Sequence, residues 1–153
     1  MNKEEIAKKN LQEYENLSRA FKGQALYFDT DTYREGSIIT LKEAKSFAGQ
    51  GAGEEFQVET SFDGQVVNVV FNCEGAVLAH KVDYQDKDEV EALSAVKGED
   101  EYLVPTGTHF EITCSSNEDD ITEMGYFEVD IKQISEEEYQ NQIEKGATEI
   151  YAI

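Results

Sequence analysis

Gly98-Glu99-Asp100-Glu101-Tyr102-Leu103-Val104-Pro105-Thr106-Gly107-Thr108-His109-Phe110 carries two glutamates one residue apart, a short apolar run and a Pro-to-Gly turn. In an extended chain, side chains two positions apart share a face, so Glu99 and Glu101 stand together at the start of a strand. Residues 102–104 form that strand, 105–107 the turn and 108–114 the return. Such a carboxylate pair can orient a sugar hydroxyl and stabilise a developing positive charge. The bland alternative is a solvated acidic loop.

Downstream, Tyr126 to Ile134 alternates with Phe127, Val129 and Ile131 on one face, so a further strand is expected there. Residues 115–120 read as an acidic hairpin tip and Glu136 to Lys145 as a charged helix. Upstream, residues 86–96 read as a brief helix or ordered loop with Val90, Leu93 and Val96 on one side. Residues 55–84 read as an antiparallel meander, with Asp63-Gly64 and Glu74-Gly75 as turns and Gln65 to Cys73 apolar enough to be central. Gly49 to Gly53 reads as a loop. Thr40-Leu41-Lys42-Glu43 has the pattern of a capping box and predicts a helix ending near Gly49. Short strands are expected at 25–28 and 36–39. Ala7, Leu11, Tyr14, Leu17 and Phe21 recur at helical spacing, so residues 3–22 are expected to form an N-terminal amphipathic helix stopped by Gly23.

These patterns predict an α+β fold: antiparallel strands in one or two packed sheets, an N-terminal amphipathic helix and short interrupting helices. At 153 residues the chain is expected to be a single domain, 1–153, able to bury a core of its own. Its 13 basic and 33 acidic residues give a formal charge of −20. Direct binding of nucleic acid or of an anionic membrane through charge is therefore not expected. The start of the chain lacks the apolar core of a signal peptide, and no stretch approaches the roughly 18 apolar residues of a membrane span, so a cytoplasmic location is expected. Cys73 and Cys114 lie in apolar, strand-like contexts that suit buried reduced thiols, with a single bridge left open. His80 and His109 share no ligand spacing with either cysteine, and no metal is expected.

The run from Glu99 to Phe110 resembles the Glu-x-Glu signature of mono-ADP-ribosyltransferases, enzymes of bacterial exoenzyme and toxin type, whose second Glu opens a strand continuing through Pro and Gly-Thr-x-Phe. The resemblance covers residues 25–134, with Tyr126-Phe127-Glu128-Val129 at the place of the family's closing strand. It implies an NAD-dependent enzyme modifying a protein side chain, of the arginine-modifying kind. Glu101 would hold the ribose 2′-hydroxyl and the developing cation, and Glu99 would face the acceptor. NAD is the implied cofactor and a protein the implied acceptor, a basic one if charge guides it.

Charge −20 repels a dianionic cofactor, so a local cation is needed at the pyrophosphate. Arg34 in Tyr33-Arg34-Glu35-Gly36 is similar to the family's first-strand arginine, with one residue inserted; it also suits a turn, paired with Asp31 or Glu35. Arg19 lies away from the apolar stripe of the expected first helix and is read as a surface residue. Glu59-Thr60-Ser61 resembles the family's Ser-Thr-Ser strand with Glu for the leading Ser, which gives Thr60 and Ser61 a cofactor-binding role or, alternatively, plain cross-strand packing. Activity stays open between this transferase and a non-enzymatic acidic binding protein or inhibitor that docks on a basic, nucleic-acid-binding partner.

Overall fold

The computed structural model describes residues 2–24, 33–49, 66–93, 100–115 and 126–151. Within them, ten strands form one mixed sheet: β1 Gln12–Tyr14, β2 Ser18–Gln24, β3 Ile38–Thr40, β4 Lys45–Ala48, β5 Val66–Cys73, β6 Val77–Lys81, β7 Glu101–Val104, β8 His109–Ser115, β9 Tyr126–Ile134 and β10 Glu149–Ile150. Their order is β1-β6-β7-β4-β2-β5-β9-β8-β3-β10. Three short helices accompany them: α1 Lys3–Ala7, α2 Lys87–Leu93 and α3 Glu136–Glu144. The α+β expectation of packed antiparallel sheets is corrected to a mostly β architecture with a single curled sheet. Two of its pairings, β5 with β9 and β3 with β10, are parallel.

The expected helix over 3–22 is also overturned. Asn2 and Glu5 form a reciprocal capping box that starts α1, but the helix stops after Ala7. Asn10 (φ 49°) and Asn16 (φ 62°) take the left-handed conformation, which asparagine tolerates better than most residues and which no helix continues through. Between and beyond these two bends the chain forms β1 and β2. Leu11, assigned to the helix's apolar stripe, is 40% exposed. The expected helix after Thr40 is likewise absent: Thr40 ends β3 and Lys45–Ala48 form β4.

Long-range pairing replaces the hairpin expected between residues 65–73 and 76–84. β5 does not pair with β6; it lies between β2, antiparallel, and β9, parallel. The expected central position of β5 holds, with Val69 and Phe71 fully buried. The bounds of β9 match the alternation that predicted it. The expected strand 25–28, the strand from 55 to 62 and the tip at 116–120 lie outside the described residues.

Phe47, Phe71, Phe110 and Phe127, each at most 1% exposed, fill the concave face. Phe47 stacks on Phe110 at 5.8 Å, and Tyr33 meets Phe71 and Phe127 at 5.7 and 6.1 Å. Val77 of β6 and Ile150 of the edge strand β10 belong to this same cluster, which requires the sheet to curl. On the other face, Ile6 and Ala7 of α1 and Leu93 of α2 cover Leu103 of β7, with Ala44.

A candidate active site on three adjacent strands

Glu101 opens β7 and is half-buried. It lies opposite Ala48 of β4; Ala48 lies opposite Ser18 of β2, Ser18 opposite Asn72 of β5, and Asn72 opposite Asp130 of β9. Residues paired across strands share a face, so Glu101, Ser18, Asn72 and Asp130 form a polar row interrupted only by Ala48. Asn72 Nδ2 donates to Glu128 Oε1, one pleat along β9. Burial raises the Glu128 carboxyl, with the charge of Asp130 adding to it and Asn72 opposing. Burial likewise raises Asp130, aided by Glu74 and opposed by Asn72.

Arg19 follows Ser18 and belongs to the opposite pleat, beside Phe71. β2 and β4 pair only at Ser18 and Ala48; beyond that point the Arg19 side chain reaches β4, with Nη1 donating to the Ser46 carbonyl at 2.9 Å. Its Nε is buried and has no hydrogen-bond partner among the described residues. Burial lowers the guanidinium's pKa, opposed by the charge of Glu43. A strong donor in this state is a ready contact for an anion.

Next to β7, Val82 N donates to Glu101 O at 3.0 Å, and residues Lys81–Gln85 line an open hollow of about 380 Å³. The link between Glu101 and this hollow is that backbone bond; the Glu101 side chain is not among the lining residues.

Of the residues singled out from sequence, Glu101 lies at this site, while Glu99, Thr60 and Ser61 lie outside the described residues. Arg34 is exposed and precedes β3, from which five strands separate β7 in the sheet order. Its neighbour Tyr33 packs on β5 and β9. Arg19 was missed because the helix reading turned it to solvent. The signal was present: the alternation of Leu17 and Arg19 fits a strand, and Asn16 just before them fits a bend. Cys73 is buried, which pushes its thiol up to about 12, whereas Cys114, expected to be buried, is exposed.

No protein-family model matches the chain, and no curated protein matches it in sequence. Its fold does have solved counterparts. It superposes on the ADP-ribosyltransferase Vis in complex with the inhibitor M6 with a TM-score of 0.54 and 15% identity, covering 90% of this chain and 54% of that one. For the Vis toxin from Vibrio splendidus the values are 0.52, 14%, 90% and 54%. For Vis in complex with agmatine they are 0.54, 15%, 91% and 56%. The chain thus spans little more than half the length of these proteins. Over that span, this chain has the fold of these ADP-ribosyltransferases.

Proposed function

We propose that the chain is an NAD-dependent mono-ADP-ribosyltransferase that modifies a protein side chain, with its site on the β2-β4-β7 unit. The observation that carries this reading is the placement of Glu101: half-buried, at the head of β7, in a polar row with Ser18, in a fold shared with Vis. Arg19, on the opposite pleat but reaching the gap where β2 and β4 part, would suit a pyrophosphate oxygen through its buried Nε, and Glu101 would suit a ribose hydroxyl.

Bound NAD supplies the bond between nicotinamide and ribose, which breaks with positive charge developing on the sugar. Glu101 would accept a hydrogen bond from the ribose 2′-hydroxyl, and its carboxylate would stabilise that developing charge more in the transition state than in the ground state. Arg19 anchors the far end and offsets the repulsion from a chain of charge −20. Glu99, two residues before Glu101 on an extended chain, would receive the acceptor. An arginine acceptor is favoured by the complex of Vis with agmatine, whose guanidinium is the group arginine presents. The fold likeness favours this reading over an acidic docking module.

The test is release of nicotinamide from NAD. The wild-type chain is expected to release it, and Glu101→Gln to do so at least about 100-fold more slowly, the scale on which one electrostatic contact to the transition state acts. Equal rates in the two proteins, or none in the wild type with agmatine or a cell extract supplied, would reject the proposal.

A further inference from the structure

β6 carries a histidine that the transferase reading does not use. His80 is buried, and each of its ring nitrogens has a partner: Nδ1 meets the Lys9 carbonyl at 2.6 Å, and Nε2 meets Glu89 Oε1. A carbonyl oxygen only accepts, so Nδ1 bears a proton. Glu89 Oε1 also accepts from Asp83 N at 3.0 Å, and Lys9 Nζ stands 3.8 Å from Oε2. A carboxylate facing donors and a cation in this way is an acceptor. Nε2 therefore bears a proton as well, and the ring is an imidazolium.

The charges around His80 agree with this. Lys9, just beyond α1, lies 3.4 Å from Asp86 Oδ2, while Asp86 Oδ1 accepts from Asp88 N and Glu89 N at the start of α2. Asp83 turns its carboxylate to Gln85 N at 2.9 Å. Across the sheet, Leu103 of β7 pairs with His80 and Gln12 of β1 with its neighbour Ala79, and neither carries charge. Without one of its protons, the ring would set an acceptor against an acceptor in a place closed to water. His109 makes the contrast. Its Nε2 faces Glu136 at 2.8 Å, but its Nδ1 faces the Thr40 hydroxyl at 2.8 Å, which can donate, so one proton serves both contacts.

We propose that the doubly protonated His80 is a pH-sensitive fastener: it holds the end of α1, the start of α2 and the turn between β6 and α2 onto the sheet, and releases them when a proton leaves. That turn begins at Val82, whose N–H donates to the Glu101 carbonyl, so the fastened unit reaches the head of β7. The closed form keeps a proton that a free imidazole gives up above about pH 6.5, so raising the pH favours opening. None of this rests on the transferase reading.

The test uses the full chain labelled with nitrogen-15 in histidine and followed by NMR. At about pH 7.5, where a free imidazole is mostly neutral, both His80 nitrogens are expected to carry protons. In Glu89→Gln, whose amide can donate to Nε2, that nitrogen is expected to lose its proton while Nδ1 keeps its own. Amide exchange reads the fastening itself. Between about pH 6 and about pH 9, protection at Val82 and Asp83, corrected for the intrinsic rise of exchange with pH, is expected to fall about 10-fold or more in the wild type and less than about twofold in Glu89→Gln. Protection at Phe71, in the centre of the sheet, is expected to stay level. A singly protonated His80 in the wild type, or protection at Val82 and Asp83 that ignores pH, would overturn the proposal. An equal fall at Phe71 would overturn it too, because the whole domain would then be opening. The wild-type measurements decide the matter even should Glu89→Gln fail to fold.

Discussion

A guanidinium half-buried between two strands, with one nitrogen committed to the Ser46 carbonyl and another without a partner among the described residues, is organised for a negatively charged ligand. Arg19→Gln is therefore expected to raise KM for NAD by about 10-fold or more with a smaller change in kcat, whereas Arg34→Gln changes either by less than about twofold; steady-state kinetics at fixed ionic strength separates them. The acids on β9 give a different signature. Glu128 and Asp130 have folded pKa values above their ordinary 4.5 and 3.8. Over the interval between ordinary and folded values the folded state binds more protons than the unfolded one. The stability these groups contribute is thus fully present below 4.5 and 3.8 and lost as pH rises through the folded values. Glu128→Gln, which cannot ionise and keeps an acceptor for Asn72, is expected to raise Tm by about 2 °C near pH 7 and to leave it unchanged near pH 4. A gain of equal size at both values would mean that ionisation is not the cause.

Among the elements, α1, α2 and β6 are joined by a buried contact. His80 and Glu89, 4% and 2% exposed, meet through Nε2 and Oε1, while His80 Nδ1 faces the Lys9 carbonyl at 2.6 Å. Glu89 also accepts from Asp83 N at 3.0 Å, and Lys9 Nζ lies 3.8 Å from its other oxygen. Truncating one side strands the other group away from water. Glu89→Ala is expected to cost about 3 kcal/mol or more in urea unfolding, and replacement of both His80 and Glu89 by Leu to cost clearly less. Because α1 and α2 cover Leu103 on β7, the single truncation should also loosen amide protection along that strand. The legibility of these elements followed the range of the interactions that make them. β9, whose alternation is strict, was readable to the residue, α2 was one of two readings of the spacing of Val90 and Leu93, and α3 was readable as a charged run. The spacing of Ala7, Leu11, Tyr14 and Leu17 satisfies a helix as well as two strands broken by asparagines, and sheet pairing chose the strands. The partners of β5 lie far along the chain, β2 well before it and β9 well after, and nothing local specifies them. Glu101 was singled out because its acid spacing and the following Pro and Gly sit in one short run. Arg19 was not, because its role depends on which strand lies beside β2.

For the molecule as a whole, 33 acidic against 13 basic residues make self-repulsion a standing cost of compactness. Raising NaCl from about 0.02 M to about 0.5 M is expected to raise Tm, since the screening length shortens from roughly 20 Å to under 5 Å; a flat or falling Tm would show that attractive pairs dominate instead. The same field would oppose a dianionic cofactor, so any affinity for NAD has to come from local contacts. The most direct measurement is a titration of NAD into labelled protein, followed by backbone amide shifts. Shifts clustered at Ser18, Arg19, Ser46 to Ala48, Val82 and Glu101 are expected, placing the dinucleotide on β2, β4 and β7. Absence of saturable shifts, or their confinement to the β3–β10 edge, would contradict a nucleotide site at Glu101.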